Sequence, residues 1–171
     1  MNRFAGRRVL ITGGSSGIGR ELARQWLGLG AHVFVVADAA SKLEATVDGL
    51  RAIAPSVDMA VCDVANLAAV QAMADAYLAR HGAPDILVNN AGYAVYQTFS
   101  ELDPEEIARL IQVNFAGACY VTRAFLPSME SAGRGHIVMM ASMAGRLPMT
   151  PCGVYSASKH GIVALAETLR G

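Results

Sequence analysis

Five short apolar runs punctuate the chain: Val9–Ile11, His32–Ala37, Met59–Val61, Ile86–Val88 and Gly135–Ala141. None alternates apolar with polar residues, which is the pattern of strands covered on both faces rather than half-exposed ones. Between them the apolar positions recur at helical spacing. Ile18, Leu22, Trp26 and Leu29 fall on one face, as do Leu43, Val47 and Leu50, and then Leu67, Val70, Met73 and Tyr77. A long helix is expected from Pro104 to Met129, with Asp103 as its cap, Pro104 in its first turn, and Ile107, Leu110, Ile111 and Phe115 along its first half. A last helix runs from Tyr155 to Leu169. Strand and helix alternate throughout, so the fold class expected is α/β, a doubly wound parallel sheet with helices on both faces. Neither repeats nor linkers interrupt the alternation, and residues 1–171 read as one domain.

Composition narrows the function classes. Hydrophobic residues make up 53% of the chain and charged ones 16%, as suits a compact fold with a large core. Lys plus Arg and Asp plus Glu both number 14, and no basic stripe is present, so nucleic acid is not an expected partner. No apolar run approaches the ~18 residues of a membrane span, and the N-terminus lacks the apolar region of a signal peptide. Cys62, Cys119 and Cys152 are scattered and odd in number, which fits reduced thiols in a cytoplasmic protein. The four histidines show no metal-ligand spacing, and no metal is expected.

Chemistry concentrates at two places. The first strand runs into Thr12-Gly-Gly-Ser-Ser-Gly-Ile-Gly19, glycine-rich sequence leading directly into a helix. Gly13 would allow a tight turn, Gly17 a close approach of backbone to a pyrophosphate, and Gly19 close packing of the helix. The helix N-terminus would offer N–H groups and partial positive charge to phosphate. Asp38 follows 19 residues after Gly19, near the distance at which a carboxylate meets the adenosine ribose hydroxyls. Asp63, after the third strand, could reach the adenine edge. The second place is Tyr155-Ser-Ala-Ser-Lys159, with Ser142 thirteen residues upstream. Tyr155 and Lys159 are i and i+4, so on a helix they share a face. A free phenol titrates near ~10, and an adjacent ammonium favours its ionised form, which acid/base work near neutrality needs. Taken singly, Ser142 could cap a strand, Tyr155 could be a surface aromatic, Lys159 a solvated helix residue and Asn114 a helix kink.

TGGSSGIG, Cys62-Asp63-Val64, Asn89-Asn90-Ala91-Gly92, Asn114 in QVNFAG, Ser142 and YSASK together resemble the short-chain dehydrogenase/reductase family across residues 8–171. The resemblance implies a sheet of order 3-2-1-4-5-6-7 and hydride transfer between a nicotinamide cofactor and an alcohol or carbonyl. It implies Tyr155 as acid/base, Lys159 on the nicotinamide ribose and beside the phenol, Ser142 on the substrate oxygen, and Asn114 holding a water that links Lys159 to solvent. Cofactor contacts are implied for Thr12, Gly13, Ser15, Ser16, Gly17, Ile18, Gly19, Asp38, Asp63, Val64, Asn90, Ala91 and Gly92, together with Tyr155 and Lys159. Asp38 and the absence of a basic residue at Ser15-Ser16 favour NAD over NADP, although Ala37 aligns best with the family's usual acidic position. Family members typically run to about 250 residues, so strands six and seven are expected to be missing, the fifth strand to be an exposed edge, and the sequence to be a fragment.

Tyr93, Val95, Tyr96, Met143, Leu147 and Met149 are expected to line the substrate pocket, which hints at a lipid-like, steroid-like or aliphatic carbonyl. They could equally pack under loops. A looser likeness is to 3-ketodihydrosphingosine reductases, which carry Arg where Asp38 stands. Two other functions remain open: a non-catalytic dinucleotide-binding protein, and an assembly module. The family's packing implies a homo-oligomer through helices 104–129 and 155–170, with Ala118, Val121 and Phe125 on the outer face.

Overall fold

A computed structural model describes residues 3–170. Its five parallel strands are β1 (Arg8–Thr12), β2 (His32–Ala37), β3 (Val57–Val61), β4 (Ile86–Asn89) and β5 (His136–Met139), in the order β3-β2-β1-β4-β5. This is the first part of the expected order. The helices are α1 (Gly17–Gly28), α2 (Ala40–Arg51), α3 (Leu67–His81), α4 (Pro104–Ile111), α5 (Gly117–Ser131) and α6 (Gly153–Thr168).

The unbroken apolar runs are explained by two cores, one on each side of the sheet. Val9 and Ile11 of β1, Val33 and Val35 of β2, and Ile86 and Val88 of β4 face α1 and α2, where Ala23, Leu27, Leu43 and Val47 are buried. Their neighbours Leu10, Val36 and Leu87 face α3 and α5, against Val70, Tyr77, Val121 and Phe125. Successive side chains of a strand point to opposite faces, so a strand covered twice must be apolar at every position.

The helical faces differ from expectation in three places. On α1 the buried residues are Gly19, Ala23 and Leu27, while Ile18 is 62% exposed and Leu29 is also exposed. The stripe is rotated by one residue because small side chains let the helix approach the sheet, leaving the bulky ones to flank it. Leu67, the first residue of α3, is exposed, although Val70, Met73 and Tyr77 are buried as expected. Ala118, Val121 and Phe125 are not on an outer face: all three are buried, two of them in the core beneath the sheet, so they are unavailable to a second subunit.

The long helix is also not uniform. Between α4 and α5 the chain passes through a π-helical segment, Gln112–Ala116, which contains Asn114. Asp103 and Pro104 begin α4 as expected, but the Asp103 side chain makes no capping bond. β5 is shorter than the apolar run that announced it and is only half-covered, with Val138 exposed, because it is the last strand of the sheet among the described residues.

The sheet's lower end is fastened by Asp85, just before β4. Its buried carboxylate accepts from the backbone N–H of Arg8 at 2.9 Å and from the guanidinium groups of Arg7, Arg8 and Arg134 at 3.2–3.3 Å. One side chain thereby ties together the starts of β1 and β4 and the approach to β5.

Candidate active site

At the opposite end, where the parallel strands finish, a cleft of about 470 Å³ runs from the glycine loop to α6. Gly13 adopts φ +65°, and a Cβ there would stand 2.7 Å from the Cα of Ala91. Gly19 is equally confined: its Cβ would meet Asn90 Nδ2 and Gly13 O at 2.5 Å. These two positions admit only glycine, and they bring β1, β4 and α1 together at the cleft floor. Asn90 seals the junction, its amide donating to Thr12 O at 2.9 Å and Gly13 O at 3.0 Å. Thr12 does related work. Its buried hydroxyl accepts from the N–H groups of Asn90 and Ala91, both at 3.1 Å, and it does not line the cleft.

Of the residues expected at a nucleotide, Gly13, Ser15, Ser16, Gly17 and Ile18 line the cleft on one wall. Asp38, Asp63 and Val64 line the next, and Asn90, Ala91 and Gly92 the floor. Gly19 and Thr12 shape it from behind. Ser16, the N-cap of α1, makes no side-chain bond to the first turn, so the N–H groups there remain for a ligand. Asp38 is exposed and has no hydrogen-bond or ion-pair partner among the described residues. Asp63 is engaged. It accepts from Arg109 Nη1 at 2.8 Å and from Ala65 N at 3.0 Å. Partial burial raises its pKa, and the Arg109 and Ala65 hydrogen bonds more than reverse this, leaving it below the usual value.

Tyr155 and Lys159 line the same cleft from α6, on one helix face as their spacing requires. Lys159 is 6% exposed. Its ammonium donates to Met140 O at 2.7 Å, just beyond β5, and lies 5.8 Å from the centroid of the Tyr155 ring. Burial lowers its pKa. The Tyr155 hydroxyl has no partner among the described residues, so its hydrogen-bonding capacity is open to a substrate. Ser142 caps the 3-10 turn Met143–Gly145, accepting from Ala144 N at 3.2 Å, and keeps its own proton to donate. That turn packs on α6 so closely that a Cβ on Gly145 would meet Lys159 O at 2.6 Å.

Asn114 is 1% exposed and does not line the cleft. Its carboxamide clasps the backbone of Tyr93 from both sides, accepting from Tyr93 N at 2.9 Å and donating to Tyr93 O at 2.8 Å, with a further bond to Ser158 Oγ at 3.3 Å. Gly92 is wedged between Asn114 and Lys159: a Cβ there would lie 2.9 Å from Asn114 Oδ1 and 3.5 Å from Lys159 Nζ. The π segment is what places Asn114 here, and such segments frequently mark functional sites.

Several cleft residues were invisible to spacing arguments. Lys42 reaches the cleft from α2 and Arg109 from α4. The Tyr93 hydroxyl donates to Glu106 at 2.6 Å, and burial with that carboxylate pushes the phenol up to about 12. Arg109 and Asp63 are separated by 46 residues, so only the fold unites them. Tyr96 and Phe99, after β4, and Met143, Leu147 and Met149, after β5, are exposed, whereas Tyr93 and Val95 are half-buried. No group of His, Cys, Asp and Glu suited to a metal occurs among the described residues, and none of their helices is long and apolar enough to cross a membrane.

A parallel sheet wound 3-2-1-4-5, with a glycine loop opening α1 and a Tyr-Lys pair facing the same cleft, defines a doubly wound α/β domain of the Rossmann type. The chain belongs to the short-chain dehydrogenase family, whose family model matches residues 7–171. It is 38% identical over 163 residues to the granaticin polyketide synthase putative ketoacyl reductase 1 of Streptomyces violaceoruber, covering 94% of this chain and 60% of that protein. It is 36% identical to D-threitol dehydrogenase of Mycolicibacterium smegmatis, covering 98% and 64%. Among solved structures, a short-chain dehydrogenase/reductase from Burkholderia phymatum in complex with NAD matches with TM-score 0.93 and 39% identity, covering 99% of this chain and 60% of the other. Actinorhodin polyketide ketoreductase (F189W) with NADPH matches with TM-score 0.92 and 35% identity, covering 99% and 66%. The chain thus spans 50–64% of the length of these and similarly matched curated relatives.

Proposed function

We propose that the protein is part of an NAD-linked alcohol dehydrogenase or carbonyl reductase. The observation that carries this reading is that Tyr155 and Lys159 open onto the same cleft as the glycine loop. The first turn of α1 would receive the pyrophosphate, Asp38 the adenosine ribose, and Lys159 the nicotinamide ribose. The nicotinamide, when bound, supplies or accepts the hydride. Tyr155 gives its proton to the carbonyl oxygen in reduction and takes one from the hydroxyl in oxidation. Ser142 donates to the same oxygen and orients it. The Lys159 charge stabilises negative charge on the phenol oxygen during the transfer, and its bond to Met140 O holds it there.

NAD is favoured over NADP because Asp38 is exposed and unpaired, free to accept from a ribose 2′-hydroxyl and to repel a 2′-phosphate. The substrate is an apolar or acyl-like carbonyl, or the matching alcohol. Support comes from the exposed apolar side chains of Tyr96, Met143, Leu147 and Met149, in the segments that follow β4 and β5, and from the ketoacyl reductases among the relatives. The protein works in the cytoplasm, consistent with its free thiols, and pairs with further copies through the outward faces of 104–129 and 155–170 rather than through Val121 and Phe125.

Titration of the 171-residue chain with NADH, followed by nicotinamide fluorescence with NADPH in parallel, tests the cofactor reading. Saturable binding with NADH at least tenfold tighter supports it, and NADPH tighter by the same margin refutes the preference. In a form that turns over substrate, Tyr155→Phe is expected to remove hydride transfer while leaving the NADH Kd within about twofold.

A further inference from the structure

The adenosine end of the cleft is not simply acidic. Asp38 and Asp63 bring two carboxylates to it, but Lys42 and Arg109 bring two cations. Lys42 is exposed in the first turn of α2 and has no ion pair among the described residues. Arg109 is held by Asp63 at 2.8 Å, with 43% of its side chain exposed. The bond to Asp63 chiefly, then Tyr93 and Asp38, keeps its guanidinium firmly charged. The two cations thus balance the two carboxylates, and Arg109 feels Asp38 as well as Asp63, so loss of either cation leaves this end with a net negative charge.

We propose that Lys42 and Arg109 are specificity-determining residues, which offset Asp38 and so set how far this cleft discriminates against a 2′-phosphorylated dinucleotide. The inference rests on the nucleotide-binding reading above but not on which cofactor wins. The two cofactors share every group except the 2′-phosphate, so a cation at this end acts on their difference. A phosphate monoester carries ≈ −1.5 to −2 charges near neutrality. Each cation removed from its surroundings at a partly screened distance then costs NADPH about fivefold in affinity and NADH almost nothing.

The test is a set of NADH and NADPH titrations on the wild-type chain, Lys42→Gln, Arg109→Gln, Arg109→Lys and the double glutamine variant. The expected result is an NADPH Kd raised about fivefold by each glutamine and about twenty-five-fold by both, with the NADH Kd within about twofold. Arg109→Lys, which keeps the charge, should stay near wild type, and the differences should shrink between low salt and about 0.5 M salt. Equal weakening of both cofactors by Arg109→Gln would mean that Arg109 only holds the Asp63 loop. No change with Lys42→Gln, an exposed substitution that leaves the core intact, would also overturn the proposal. A wild-type chain that binds neither cofactor would sink this inference and the reading beneath it together. A wild type that prefers NADPH, with the glutamine variants losing that preference, would sustain the inference while overturning the preference for NAD.

Discussion

Replacing Asn114 by alanine removes three hydrogen bonds from a residue that is 1% exposed, two of them holding the backbone N–H and carbonyl of Tyr93. Those two groups face a buried carboxamide and have no equivalent replacement. Stranding a buried polar group costs ≈ 1–3 kcal/mol, and the vacated amide leaves room for water to recover part of it. The lower half of that range for each gives a loss of about 3 kcal/mol for the pair. The long bond to Ser158 Oγ adds little, because that hydroxyl also donates to Tyr155 O at 2.7 Å. For a domain of this size a urea m-value near ~2 kcal/mol/M turns the loss into a midpoint lowered by about 1.5 M. Ser158→Ala, which leaves the Tyr93 clasp intact, should lower it by less than about 0.5 M. The same clasp fixes the cleft floor at Gly92 and Tyr93, so the NADH Kd of Asn114→Ala should rise at least about tenfold, measured where the variant is still folded. A stability within about 1 kcal/mol of wild type, or a loss matched by Ser158→Ala, would show that the clasp does not bear on the fold as argued.

Asp85→Asn should cost about 2 kcal/mol at neutral pH, because the carboxylate serves three guanidinium groups that are themselves partly exposed. Burial raises the Asp85 pKa, but the Arg8 backbone and side-chain bonds and Arg134 bring it below its ordinary 3.8. Its ionised form is therefore favoured by folding: the contribution is complete above pH ~4 and fades as pH falls through the lowered folded value, so urea melts of wild type and variant should converge in acid. Lys159 shifts in the same direction for a different reason, because there folding favours the neutral form. Burial depresses its pKa from 10.5, so the folded state binds fewer protons than the unfolded one, and wild-type stability should rise relative to Lys159→Met as pH climbs toward 10.5. A gap between these two proteins that stays constant with pH would contradict the burial argument.

The strands were legible because each is covered twice, and a strand covered twice has almost no polar residues to disguise it. The glycines at 13 and 19 were legible for a related reason, since backbones meet there at distances that leave one choice of side chain, whereas Asn90 was marked only by the family resemblance. Tyr155 and Lys159 could be paired by counting, since a single helix carries both. The contacts that escaped are those between distant segments, such as Arg109 with Asp63 and Lys159 with Met140 O, which no local period encodes. The stripe on α1 was misplaced because Ala23 and Gly19 look weakly hydrophobic yet pack closest. Val121 and Phe125 were assigned outward from the family's subunit packing, and they lie instead in the core, beyond a π segment that no apolar period announces.

That irregularity acts as a phase shifter. A π turn inserts one residue into an α-helical count, and one residue corresponds to about 100° of rotation. Arg109 upstream can therefore look into the cleft while Val121 and Phe125 downstream look into the sheet, along what is otherwise a single unbroken rod. Excising one residue from Gln112–Ala116 would regularise the winding and set the two ends against each other: either the core keeps its aromatic or the cleft keeps its arginine, but one continuous α-helix cannot aim both.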